Sequence, residues 1–93
     1  MRGKESVKNL EKAITEFLAQ KEIRDFRWIT EGERTSDDHF DTCLMIDGDA
    51  HIYFWDNYGS EEIYQISKQY GYTIDPINYI DIGFYSIEEF HNR

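Results

Sequence analysis

Apolar residues recur at helical spacing near the start of the chain. Five of them fall on one side of a helix spanning about residues 5–20: Val7, Leu10, Ile14, Phe17 and Leu18. Charged side chains occupy the opposite side. This pattern predicts an amphipathic helix that lies on a hydrophobic core.

Residues 23–30, IRDFRWIT, combine β-branched and aromatic residues with charges at alternating positions. Because the side chains of a strand alternate between its two faces, Phe26 and Trp28 share one face and charged residues share the other. The segment therefore predicts a strand. The polar segment that follows, residues 30–38, predicts a loop.

The stretch CLMIDGDAHIYFWD, residues 43–56, predicts two strands around a tight turn at Gly48. A two-residue turn would place Asp49 and His51 beside Leu44, which makes a poor core. A three-residue turn with Gly48 in the left-handed conformation puts the even-numbered residues of both strands on one face. We expect this second arrangement because the even-numbered face is the more apolar one: Phe40, Thr42, Leu44, Ala50, Ile52 and Phe54.

The odd-numbered face of this predicted hairpin would then remain exposed. It combines carboxylates with aromatic and sulfur-containing side chains: Asp41, Cys43, Met45, Asp49, His51, Tyr53 and Trp55. A mixed surface of this kind favours a binding role.

A second long helix is predicted after a break at residues 57–59. Ser60 is a favourable N-cap, Glu61 and Glu62 suit the positive end of the helix dipole, and Gly71 would end the helix after Tyr70.

The last third of the chain predicts one more strand and a short helix. Asp75-Pro76 indicates a turn. In a strand over 79–84 the side chains would alternate between an inward set, Ile80, Ile82 and Phe84, and an outward set, Tyr79, Asp81 and Tyr85. The Ser86-x-x-Glu89 capping box predicts a terminal helix over 87–92.

The predicted order of elements is α-β-β-β-α-β-α. A length of 93 residues suits one domain. We therefore expect a single α+β domain over residues 1–93, with a mainly antiparallel sheet and the two longer helices on one face.

Cysteine content and hydropathy indicate a compartment. Cys43 is the single cysteine, which excludes an internal disulfide and fits a reducing cytoplasm. The N-terminal segment is charged throughout and lacks the apolar centre of a signal peptide. We expect a cytoplasmic protein that has no membrane partner.

Charge is distributed unevenly along the chain. Residues 1–34 carry eight Lys or Arg and seven Asp or Glu, whereas residues 35–93 carry two basic residues against twelve acidic ones. The second segment also holds twelve of the fifteen aromatic residues. Such a surface repels nucleic acid and attracts a basic protein surface, so we expect no direct nucleic-acid binding.

Two kinds of catalytic site can be compared with the predicted geometry of the hairpin. A metal site could draw on His39, Asp41, Asp49 and His51, but Asp41 and Asp49 would lie more than about 10 Å apart along the hairpin. A thiol site could pair Cys43 with His51, yet no oxyanion donor lies beside it.

The chain also lacks a phosphate-binding glycine loop, a paired-cysteine zinc pattern and a dinucleotide fingerprint. We expect no metal, no cofactor and no catalytic residue. A small metal- or thiol-dependent enzyme that uses His39, Asp41, Cys43 and His51 remains the alternative. A homo-oligomer that hides the aromatic face is another, and the sequence does not decide the oligomeric state.

The acidic-aromatic surface is the favoured site. Tyrosine and tryptophan are enriched at binding hot spots, and carboxylates spaced over a rigid surface can imitate the phosphates of a nucleic acid. The predicted partner-binding residues are Asp49, His51, Tyr53, Trp55, Asp56, Tyr58, Glu61 and Glu62.

In size and charge the chain resembles small acidic inhibitor proteins, namely bacterial immunity proteins that block nuclease toxins and phage proteins that block restriction or CRISPR effectors. The resemblance implies a non-enzymatic inhibitor or adaptor. Its partner would be a protein with a basic cleft, such as a nuclease or another nucleic-acid-handling effector.

Overall fold

A computed structural model describes residues 4–29 and 40–87. The described residues form three helices and four strands in the order α-β-β-α-α-β-β, so the α+β class is confirmed and the order is not. The elements are α1 Lys4–Gln20, β1 Phe26–Trp28, β2 Thr42–Ile46, α2 Gly48–Asp56, α3 Gly59–Gln69, β3 Tyr72–Pro76 and β4 Asp81–Ser86.

The four strands form one antiparallel sheet in the order β1-β2-β4-β3. Trp28 lies opposite Leu44, and Leu44 lies opposite Ile82. Ile74 lies opposite Phe84. Because opposed residues point to the same side, the even-numbered residues of all four strands share one face of the sheet.

The core lies between this even-numbered face and the helices. Leu10, Ile14 and Leu18 of α1 are buried there, as is Ile63 of α3. These helical residues join a single cluster with the sheet residues Leu44, Ile46, Ile82 and Phe84. The expectation that both longer helices lie on one face is therefore confirmed.

Within the described ranges, side-chain hydrogen bonds connect α1 to the sheet. The Trp28 indole donates to Thr15 Oγ1 at 2.9 Å, and the Thr42 hydroxyl donates to Glu11. The Tyr72 hydroxyl donates to Ser6 Oγ at 3.3 Å. These bonds set the direction in which α1 crosses the sheet.

The predicted hairpin over 43–56 is wrong in its second half. Residues 43–46 belong to β2, as expected, but residues 48–56 form the helix α2. Asp47 is the N-cap of α2, and its carbonyl oxygen accepts the backbone N–H groups of Ala50 and His51. The apolar run after Gly48 fits both the spacing of a strand and the spacing of a helix. The structure adopts the helix.

Burial within α2 follows the helical period. Ala50, Tyr53 and Phe54 face the core at spacings of three and four residues. Ile52, which a strand would have buried, is 55% exposed. The expected odd-numbered strand face therefore does not exist, and Tyr53 is buried rather than exposed.

α3 was predicted correctly except for its start. The N-cap is Tyr58, in the left-handed conformation (φ 63°), two residues before the expected Ser60. Gly59 can follow directly because it has no side chain, since a Cβ atom there would lie 2.5 Å from the Tyr53 carbonyl oxygen. Gly71 follows the helix at φ 85°, as predicted.

The predicted strand over 79–84 is displaced by two residues in β4. Ile82 and Phe84 are buried as expected, whereas Ile80 is exposed in the loop before the strand. The segment around Asp75-Pro76 is the edge strand β3 rather than a turn. Pro76 ends β3, and an edge strand tolerates proline because its outer side needs no donor.

The odd-numbered face of the sheet is more covered than predicted. Cys43 and Tyr85 lie on this face, but both are buried. Phe40 packs edge-on against Tyr85, with ring centroids 6.2 Å apart, and its ring would lie 3.1 Å from a Cβ atom at Gly83. Phe40 therefore belongs to this face, not to the core face on which it was expected.

Parts of the prediction lie outside the described residues, namely the loop over 30–38 and all but the first residue of the helix over 87–92. Among the described residues, no helix combines the length and the apolar character that crossing a membrane requires.

Candidate functional site

The outward side of α2 carries two large apolar residues. Ile52 is 55% exposed and Trp55 is 36% exposed, although both belong to a helix whose other side is fully buried. Residues three positions apart in a helix are neighbours on its surface. Ile52 and Trp55 therefore form one apolar strip on α2.

The loop between β3 and β4, residues 77–80, adds further apolar side chains. Ile77, Tyr79 and Ile80 are exposed by 49%, 72% and 48%. A loop tip is usually polar, so three large exposed hydrophobic residues among four positions make this loop unusually apolar.

Hydrogen bonds fix the conformation of this loop. The Asn78 side-chain oxygen accepts the backbone N–H groups of Ile80 at 2.7 Å and Asp81 at 2.8 Å. The Ile77 N–H donates to the Asp81 carbonyl oxygen, and the Ile46 N–H of β2 donates to the Ile80 carbonyl oxygen. The exposed side chains are thus held on a rigid support, which lowers the entropy cost of binding.

Trp55 joins α2 to this loop. Its indole N–H donates to the Tyr79 carbonyl oxygen at 2.9 Å, and the two rings lie 5.4 Å apart at an interplanar angle of 70°. On its inner side Trp55 packs edge-to-face against buried Phe54 at 4.9 Å. Ile52, Trp55, Tyr79 and Ile80 form what we call the α2–loop surface.

Two carboxylates adjoin the α2–loop surface along the chain. Asp56 follows Trp55 at the end of α2, and Asp81 follows the loop at the start of β4. Over residues 40–87 the chain carries eight Asp or Glu residues and a single basic residue, Lys68. The α2–loop surface therefore carries exposed apolar side chains and belongs to the acidic segment of the chain, residues 40–87.

Asp49, one of the predicted partner-binding residues, is engaged within the chain. Its carboxylate accepts the backbone N–H groups of Arg24, at 3.0 and 3.2 Å, and of Asp25, at 2.8 Å. The Asp25 hydrogen bond, followed by that of Arg24, holds the pKa of Asp49 below its usual range. Asp49 thus anchors α2 to the segment before β1.

Tyr53 and Glu62 also interact with each other. The Tyr53 hydroxyl donates to Glu62 Oε1 at 2.6 Å, and Lys21 Nζ lies 3.8 Å from the same oxygen. Burial raises the pKa of Tyr53 above its ordinary value, and the hydrogen bond and the negative charge of Glu62 add to the effect. This cluster connects α2 and α3 with Lys21, which directly follows α1.

The other predicted residues are divided between two parts of the surface. Trp55 and Asp56 lie in α2, with half-buried His51 on a neighbouring part of the same helix. Tyr58 is 84% exposed at the junction of α2 and α3. Glu61 lies in the first turn of α3, where it accepts a hydrogen bond from Gln65.

The pairing of Cys43 with His51 across two strands, which the thiol alternative requires, is not found. His51 belongs to α2, so it does not lie across from Cys43, whose opposite residue in β4 is Gly83. Within the described ranges, no three His, Cys, Asp or Glu side chains are grouped so that they could hold a metal ion. His39 lies outside the described residues.

Ile52 and Ile80 were missed because both were assigned to the core. Asp47 is a favourable N-cap residue, and a helix starting there with Ala50, Tyr53 and Phe54 on its inner side would have been predicted to expose Ile52. Asn78, a common turn residue, would have placed Ile80 in a loop.

A second surface feature lies away from the α2–loop surface. It is an open groove of about 650 Å³ between α1 and α3. Apolar side chains alternate with amides and charges along it: Asn9, Lys12, Ala13, Glu16, Phe17, Gln20, Ile66, Gln69 and Tyr70.

Comparisons of the chain with models of known protein families, with curated proteins and with solved structures found no match.

Proposed function

We propose that this protein is a non-enzymatic binding protein that docks its α2–loop surface onto a basic surface of another protein. The partner class that suits it best is a nucleic-acid-handling protein, such as a nuclease, whose cleft is lined with Lys and Arg. The protein would then act as an inhibitor or adaptor, in the manner of immunity or anti-restriction and anti-CRISPR proteins.

The observation that carries this proposal is the rigid display of apolar side chains among carboxylates. Tyr79 and Ile80 lie on a loop that Asn78 holds in place, and Trp55 ties that loop to α2. Folding alone gives no reason to expose these residues, because burying them would stabilise the chain. A partner that covers them supplies such a reason.

The charge distribution supports a basic partner. The chain has a formal net charge of −9, and residues 40–87 carry eight carboxylates against one Lys, a negative balance whose field speeds association with positive surfaces. The same field opposes direct contact with nucleic acid. An acidic protein that covers a nucleic-acid cleft would exclude the natural ligand from it.

The test is capture of partners from a lysate of the organism that encodes the chain, at low salt. The purified protein and two variants would be compared, Trp55→Ala with Tyr79→Ala in one chain, and Tyr70→Ala as the control. Tyr70 is similarly exposed (38%) but lines the α1–α3 groove. A captured nuclease would then be assayed with each form.

We expect the unchanged protein and the control to capture the same basic protein, to release it as salt is raised, and to inhibit its activity. The double variant should lose at least about tenfold in affinity, since aromatic hot spots contribute 2 kcal/mol or more each. If the amount of captured partner changes neither with salt nor with the double substitution, the proposal is contradicted.

A further inference from the structure

We propose that the anchor residue on the partner is an arginine, stacked on the Trp55–Tyr79 ring pair with its guanidinium edge directed at neighbouring carboxylates. This inference rests on the proposed function and makes it more specific. It names the side chain that the α2–loop surface recognises.

The two rings are packed edge to face and form a corner. The planes of Trp55 and Tyr79 meet at 70°, with centroids 5.4 Å apart. The indole N–H is already bonded to the Tyr79 carbonyl oxygen, so the orientation of Trp55 is fixed and its donor is satisfied. Tyr79 is 72% exposed, so most of its side chain is accessible to a planar cation.

Carboxylates lie close to the corner along the chain. Asp56 follows Trp55 directly, is exposed, and has neither a hydrogen bond nor an ion pair with other described residues. Asp81 lies two residues after Tyr79, and one of its carboxylate oxygens accepts from the Asn78 amide. Within the proposal, these two carboxylates are the acceptors assigned to a cation held on the rings.

This combination favours arginine over lysine. A guanidinium can lie flat on an aromatic ring and still donate from its edge to a carboxylate, because its N–H groups lie in the stacking plane. An ammonium group is more strongly hydrated and presents no flat face. Charge alone would attract arginine and lysine equally. A higher affinity for arginine would therefore indicate stacking on the rings.

The test uses two blocked tetrapeptides of equal charge, tetra-arginine and tetra-lysine, as probes. Binding is followed by the indole N–H resonances in NMR spectra of the intact chain. The chain has two tryptophans, and Trp28 serves as the internal reference because its indole N–H is bonded to Thr15 of α1 and not to the loop.

We expect both peptides to shift the Trp55 resonance and leave that of Trp28 unchanged. Tetra-arginine should bind about threefold more tightly, because the guanidinium adds flat stacking to the cation–π contact that an ammonium group can also make. Tyr79→Leu should make the two affinities equal, Tyr79→Phe should keep the preference, and Asp56→Asn should weaken both peptides.

Equal affinities of the two peptides for the unchanged protein, with Trp55 still shifted, would overturn the arginine inference and leave the proposed function standing. A preference for arginine that survives Tyr79→Leu would also overturn it. If neither peptide shifts Trp55 while other resonances respond, the α2–loop surface is not the site of basic partners, and both proposals fail.

Discussion

Tyr53 is the residue whose surroundings differ most from those predicted. Its ring lies 6.4 Å from that of Phe17, Lys21 Nζ lies 5.5 Å from the ring centre, and its hydroxyl donates to Glu62. A side chain expected to contact a partner therefore supports the fold instead. Its role becomes measurable through stability rather than binding.

Tyr53→Phe removes one hydrogen bond and keeps the ring. Glu62 is partly exposed and retains Lys21, so we expect a loss of about 1 kcal/mol in the free energy of unfolding at pH 7, measured with urea. Tyr58→Phe is the control, because Tyr58 is 84% exposed and should change stability by less than about 0.5 kcal/mol. Equal effects of the two substitutions would contradict the assigned hydrogen bond.

The raised pKa of Tyr53 predicts a pH dependence. Above pH 10.0, the ordinary pKa of tyrosine, the unfolded chain ionises this group while the folded chain keeps it protonated. Stability from Tyr53 is therefore complete below pH 10 and declines as the pH rises further. The difference in unfolding free energy between the unchanged protein and Tyr53→Phe should shrink above pH 10. A difference that stays constant there would contradict burial of the hydroxyl.

Asp49 predicts the opposite dependence at acidic pH. Its lowered pKa means that the folded state favours the carboxylate, so its contribution is present at neutral pH and is lost as the pH falls below about 4. Asp49→Asn should lower the urea midpoint at pH 7, and the deficit should narrow in acid. Asp56→Asn, with no hydrogen bond to other described residues, should leave the midpoint unchanged. A midpoint that responds equally to both substitutions would be inconsistent with the anchoring role.

At the scale of elements, long periodic segments were predictable and the short apolar run was not. α1 and α3 each present a distinct apolar side, and Gly71 marks the end of α3, so their positions followed from the sequence. The run over residues 50–56 is apolar at both strand and helix spacing. What decides it is tertiary: Asp49 bonds to backbone groups some 24 residues earlier in the chain.

The junction of α2 and α3 depends on Gly59. In an isolated helix Gly→Ala stabilises by up to about 1 kcal/mol, because alanine loses less entropy on folding. At this position a Cβ atom would lie 2.5 Å from the Tyr53 carbonyl oxygen and 2.7 Å from Phe54 Cα. Gly59→Ala should therefore destabilise the protein by about 1–3 kcal/mol in urea unfolding.

Ser60→Ala is the matched control, since it changes the next residue of α3 and should alter stability by less than about 0.5 kcal/mol. A stabilising Gly59→Ala would show that α2 and α3 do not meet closely at this point.

At the scale of the whole molecule, the uneven charge could be read from the sequence, but the position of the binding surface in the fold could not. The acidic, aromatic character of residues 35–93 predicted a negative binding surface without giving its position. Trp55, Asp56 and Tyr79 were each expected to be exposed. That Trp55 meets Tyr79 depends on contact between α2 and the β3–β4 loop, which are 24 residues apart in sequence. No local pattern encodes that contact.

The central claim is that α2 and the loop over 77–80 act together as one docking surface. The most direct measurement is backbone amide hydrogen exchange of the chain, alone and bound to a captured partner. We expect added protection in residues 51–58 and 77–81, and no added protection in the helices that flank the α1–α3 groove. Protection confined to α1 and α3, with residues 77–81 exchanging as in the free protein, would contradict the account.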